Sequence, residues 1–95
     1  MFHIEKTSSE EVALIGRLDA AQAEIARQTF NTIQSTMTVD FQQLDYISSA
    51  GLGVLLMTQK RLNDIGHSLK LIHMQRHIRD LFTFAGFDQI FLIEP

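Results

Sequence analysis

Ser48 and Ser49 are adjacent hydroxyls, followed at once by the small residues Ala50 and Gly51. They stand where an alternating apolar segment gives way to a helical one, so a hydroxyl there is unshielded and aimed from a helix start. Such a group can be offered to another protein's active site. A phosphate placed on it would meet unpaired backbone N–H groups and the positive end of the helix dipole, and is therefore tolerated locally. It would also add nearly two negative charges and considerable bulk to a small, flat surface. Domain stability would hold while affinity for a binder changed.

Other residue types in the chain could do chemistry, but their spacing argues against it. Gly51-Leu52-Gly53 completes neither the P-loop nor the dinucleotide glycine pattern. Its preferred reading is that Gly51 and Gly53 let the first helical turn lie close to the sheet or to a partner, where a Cβ would obstruct. His73 and His77 straddle a predicted strand end and helix start, so their separation does not place them on one helical face. His3 and His67 are far apart in sequence, and no HExxH accompanies any of the four. No metal site is expected. Serine, histidine and aspartate occur without a G-x-S-x-G elbow, in a fold too small for a deep pocket, so no catalytic residue is assigned.

These residues must be positioned by an ordered scaffold, and periodicity supplies one. Phe2-Glu5 and Val12-Leu18 alternate on either side of polar Thr7-Glu10, as two antiparallel strands do. Asp19, with Gln22 three places on, has capping-box spacing and predicts a helix start. Ala23, Ala26, Phe30 and Ile33 give that helix an apolar stripe lasting to about Gln34. Met37-Phe41 alternates as a strand, which Gln42-Gln43-Leu44-Asp45 then loosens. Ser49 precedes a second periodic segment through Leu52, Leu55, Leu56, Leu62 and Ile65, closed by Gly66. Leu69-His73 reads as a strand, Ile78, Leu81, Phe82 and Ala85 as a third helix stopped by Gly86, and Ile90-Ile93 as a terminal strand. The order is ββαβαβαβ. Helical crossovers between strands predict an α/β fold: a mixed, mostly parallel sheet of about five strands with three main helices, chiefly over one face. The phenylalanines at 82, 84, 87 and 91 are expected to be mainly packing.

Composition sets outer bounds. The 95 residues, 45% hydrophobic and 20% charged, suit a single domain over 1–95. Cysteine is absent, which excludes disulfides, thiolate metal sites and thiol nucleophiles. A net charge of -3 lacks the positive field that nucleic acid requires. The most apolar run, Ala50 to Met57, is far shorter than the ~20 residues of a membrane span, and the N-terminus has no signal-peptide layout, so a cytoplasmic protein without membrane insertion is expected.

With these features the chain resembles a STAS domain, specifically the anti-sigma factor antagonist family of bacterial partner-switching systems. The likeness runs through Leu14-Ala20, Val39-Phe41, Tyr46-Leu56, Ile78-Phe82 and Gly86-Phe87, and the segment around the two serines is its specific part. It implies that Ser49, two positions before Gly51, is the phosphoacceptor, with Ser48 the second choice. Ser48 stands where many members carry aspartate. Asp19 matches an acidic residue at the end of the second strand, on the same rim as Ser49. The implied partner-binding surface is Asp19, Ser48, Ser49, Ala50, Gly51, Leu52 and Gly53. The implied partners are an anti-sigma factor that is also a serine kinase, using ATP and Mg²⁺, and a serine phosphatase that reverses the mark. This chain itself would need no cofactor and catalyse nothing, and dimerisation is left open. The alternative is a non-phosphorylated STAS subunit that scaffolds a transporter or lipid-trafficking complex.

Overall fold

The computed structural model describes residues 1–95 and follows the chain through five strands and three helices. Strands β1 (Phe2–Ser8) and β2 (Glu11–Leu18) form the expected antiparallel hairpin, in register from Phe2 opposite Gly16 to Lys6 opposite Val12, with a shift before Ser8 opposite Glu11. Helix α1 (Ala23–Phe30) leads to β3 (Met37–Ile47), α2 (Ser49–Asp64) to β4 (Leu69–Ile72), and α3 (Arg76–Phe84) to β5 (Leu92–Glu94). The sheet order is β1-β2-β3-β4-β5, with every pair after the hairpin parallel. Three successive crossovers of one hand between neighbouring strands stack their helices on one face. Burial agrees: Val39, Leu69 and Leu71 are fully buried beneath the helices, while their strand neighbours Thr38, Lys70 and Ile72 are only half-buried. The mixed sheet with three helices matches the predicted architecture.

One contiguous core of 19 side chains joins the inner sheet face to Ala26 and Phe30 of α1, Val54, Leu55 and Leu62 of α2, and Ile78 and Phe82 of α3. Phe82 anchors an edge-to-face cluster, with ring centroids 5.9 Å from Phe41, 5.9 Å from Phe87 and 5.8 Å from Phe91. Buried Gln59 joins two elements: its Oε1 accepts from Leu69 N–H at 2.7 Å and its Nε2 donates to Ile90 O at 2.9 Å. Gly66 and Gly86 take positive φ just beyond α2 and α3, as helix stops do.

Several expected boundaries move. Helix α1 ends at Phe30 rather than near Gln34; Ile33 stays buried from a turn in which its N–H donates to Phe30 O at 3.1 Å. A 3₁₀ turn, Ala20–Gln22, precedes α1, and a second, Phe87–Gln89, precedes β5, so Ile90 and Phe91 lie before the last strand. On α3 only Ile78 and Phe82 are buried; Leu81 is largely exposed, and Phe84, at 94% exposure, packs on nothing.

The largest departure is β3, which does not loosen at Gln42 but continues to Ile47. Between Ala13 and Ile15 the partners step from Asp40 to Gln43, and between Gly16 and Arg17 from Leu44 to Tyr46. Each step inserts one extra residue on β3, a bulge. The bulges change the buried rhythm from every second residue to every third, at Phe41, Leu44 and Ile47. A strict two-residue alternation therefore stops while the strand goes on.

Candidate functional site

Leu18 and Ile47 pair in parallel at the carboxyl ends of β2 and β3, which sets the residues after them side by side. Ser48 N–H donates to Leu18 O at 2.9 Å and locks the two strand ends together. Asp19 and the Ser48-Ser49 pair thereby share one rim of the sheet.

The two serines have different tasks. Ser48, in extended conformation, is the N-cap of α2: its Oγ accepts from Gly51 N–H at 3.2 Å, and its carbonyl accepts from Leu52 N–H at 2.9 Å. Ser49, which the sequence places just ahead of the helix, is instead its first helical residue. Its side chain is exposed. The hydroxyl committed to holding the helix is thus half-buried Ser48, and the one facing solvent is Ser49. Ala50 beside it is exposed as well.

Gly51 and Gly53 also separate. A Cβ on buried Gly51 would lie 2.7 Å from Leu18 Cγ and 2.9 Å from Ile47 Cγ1, so only glycine lets α2 start this close to the strand ends. A Cβ on Gly53 would meet nothing within 4 Å, which removes sheet packing as its reason. Leu52 is half-buried and packs on the core. Asp19 is a cap as expected: its Oδ1 accepts from Gln22 N–H at 3.1 Å, although it caps the 3₁₀ turn rather than α1 itself. Between the paired strand positions 17 and 46 the Arg17 guanidinium sits 4.4 Å above the Tyr46 ring, a cation–π pair.

No three His, Cys, Asp or Glu side chains come together in a group that could hold a metal ion. His73, with φ 58°, places Nδ1 3.2 Å from Asp40 Oδ1. His77 places Nε2 2.7 Å from Asp45 O. Gln75 donates from Nε2 to Gln42 O at 3.1 Å and to Leu44 O at 3.0 Å. Sequence reasoning missed Gln75 and His77, which lie more than thirty residues from the carbonyls they reach. Local periodicity carries no trace of such a pairing.

A family model described as "Mlab, STAS domain" matches residues 2–94. Among curated proteins the chain is similar to "Putative anti-sigma factor antagonist BtrV" of Bordetella bronchiseptica, 39% identical over 70 residues. That match takes in 74% of this chain but spans only 60% of the relative's length. Among solved structures it is similar to the Bacillus cell fate determinant SpoIIAA in its phosphorylated form, with TM-score 0.73, 22% identity, and coverage of 100% of this chain and 92% of that one. It is also similar to an anti-sigma factor antagonist from Mycobacterium paratuberculosis, with TM-score 0.84, 18% identity, and coverage of 100% and 85%. At these identities the structural likenesses speak for the fold.

Proposed function

The chain belongs to the STAS domain family, and from that membership together with the exposed Ser49 hydroxyl we propose that it is an anti-sigma factor antagonist, a binding module switched by phosphorylation. Residues 1–95 form one such domain and act in the cytoplasm; no helix is long and apolar enough to cross a membrane. Unphosphorylated, the rim formed by Asp19 and Ser48 to Gly53 captures an anti-sigma serine kinase and so frees a sigma factor. The kinase transfers the γ-phosphoryl group of ATP to Ser49: the Oγ–P bond forms, the bond from phosphorus to the ADP oxygen breaks, and the hydroxyl proton passes to the kinase's base. A serine phosphatase restores the hydroxyl. The domain supplies the acceptor side chain and performs no catalysis.

The observation that carries this reading is the division of labour between the serines. Because Ser48 Oγ already satisfies Gly51 N–H, Ser49 can be esterified without uncapping α2. A phosphate on the first helical residue sits at the positive end of the dipole, so the fold tolerates it. Against a close-fitting partner the same group is excluded by bulk and like charge, and a loss of about 3 kcal/mol weakens capture more than a hundredfold. Serine for the usual aspartate at position 48 removes one charge beside the acceptor but keeps a good cap. Support also comes from the name of the Bordetella relative and from a phosphorylated form of a structural neighbour.

Phosphosite mapping after incubation with ATP and candidate anti-sigma kinases tests the proposal. One phosphate on Ser49, absent from Ser49→Ala, is expected, together with release of the kinase. A second reading, a non-phosphorylated STAS subunit scaffolding a transporter or lipid-trafficking complex, draws on the Mlab description of the family model and on the serine at 48. Absence of any phosphate mass shift, with co-purification of an ATPase or membrane complex, would select it.

A further inference from the structure

We infer that Gln75 and His77 are positioning residues for the Ser49 site, replacing with side-chain donors the strand that β3 lacks along its second half. The functional half of this inference rests on the phosphoacceptor reading above. β4 pairs with β3 only from Met37 opposite Leu69 to Asp40 opposite Ile72. β2 continues alongside β3 to Ile47. From Phe41 onward, therefore, one edge of β3 has no neighbouring strand, and its carbonyls take their donors from elsewhere. This is the segment whose end carries Ser48 and Ser49.

The donors come from the start of α3. Gln75 spends both N–H bonds of its amide, one on Gln42 O at 3.1 Å and one on Leu44 O at 3.0 Å. His77 Nε2 lies 2.7 Å from Asp45 O. A carbonyl oxygen can only accept, so the Gln75 amide orientation is fixed by its partners and His77 must carry a proton on Nε2. Asp45 is also the extra residue of the second bulge, inserted between Leu44 and Tyr46. A bulged residue leaves the regular ladder, and here its carbonyl is held by histidine instead.

Gln75 occupies the N-cap position of its own helix, with φ -66° and ψ 152°, yet makes no side-chain cap bond there. Its amide serves β3 rather than α3. The three bonds act on Gln42, Leu44 and Asp45, and the last of these is four residues before Ser49. They hold the strand end from the side opposite β2, so the rim is fixed on both flanks. Transfer to a side chain is sensitive to placement: a displacement of about 1 Å can cost on the order of a hundredfold in rate.

The test uses Gln75→Glu, which keeps the shape but removes both donors, His77→Asn, whose nitrogen falls short of the Nε2 position, and His77→Gln, which restores a donor there. Amide hydrogen exchange over residues 45–50 of the free protein reads the brace without any partner. Gln75→Glu and His77→Asn are expected to speed exchange there by about tenfold while the interior of α2 keeps its protection. His77→Gln should return it close to the native value. With the cognate kinase, kcat/KM for Ser49 phosphorylation should fall about tenfold in the first two variants and recover in the third. Unchanged exchange in Gln75→Glu and His77→Asn, or His77→Gln behaving like His77→Asn, overturns the inference. Should Gln75→Glu fail to fold, the histidine pair decides alone. A native protein that no kinase modifies defeats the phosphoacceptor reading, and exchange still decides whether the brace exists.

Discussion

Helices α2 and α3 both start beside the carboxyl end of β3, yet they use their first polar side chains in opposite ways. At α2 the cap is local: Ser48 Oγ turns back onto Gly51 N–H and leaves Ser49 free. At α3 the residue in the cap position reaches across to a strand, and its own helix goes without a side-chain cap. On the proposed function, a helix start that offers its hydroxyl to a partner keeps its cap local, so that the partner does not compete for its hydrogen bonds. A start that lies behind the site can lend its donors to the strand that carries it.

The sharpest separation of presentation from stability comes from Ser49→Asp. Capture of the anti-sigma kinase should weaken more than a hundredfold, about 3 kcal/mol, in titration calorimetry. The same variant should unfold slightly later in urea, since a carboxylate on the first helical turn is worth roughly 0.3–1 kcal/mol. Equal loss in both measurements would show that the hydroxyl belongs to the scaffold after all.

The two glycines of α2 give the next effect, with opposite signs. Gly51→Ala drives a methyl group into Leu18 and Ile47 and should cost about 1–3 kcal/mol in urea unfolding. Gly53→Ala meets open space and should gain up to about 1 kcal/mol from helix propensity. Smaller again is Ser48→Ala, which removes the local cap and should cost about 1 kcal/mol. Smallest is Ser48→Asp, which keeps an acceptor at the cap and should leave stability within about 0.5 kcal/mol of native by thermal melt. A large loss on Ser48→Asp would mean that the position holds α2 by something other than its hydrogen bond to Gly51.

Much of this arrangement could be read from residues alone. The element order, the opening hairpin, Asp19 as a cap, the left-handed glycines after α2 and α3, and the bare hydroxyl at the α2 start each follow from a local physical rule. The misses divide between backbone geometry that a local pattern does not reveal and contacts between residues distant in the chain. The bulges in β3 turned Phe41, Leu44 and Ile47 into a three-residue rhythm, so the end of alternation looked like the end of a strand. Ile33 kept the apolar spacing of α1 from a turn. Serine at 48 and serine at 49 are alike as letters, and only the backbone geometry around Gly51 decides which of them caps. The brace from Gln75 and His77 joins residues too far apart along the chain for any window of periodicity to register.

The strand order β1-β2-β3-β4-β5 follows the chain itself. Each strand after the hairpin can therefore join at one side of the sheet, with no strand wedged between two already in place. Gln75 and His77 follow β4 in the chain, so while the sheet grows strand by strand the end of β3 waits open along one flank until the start of α3 closes it.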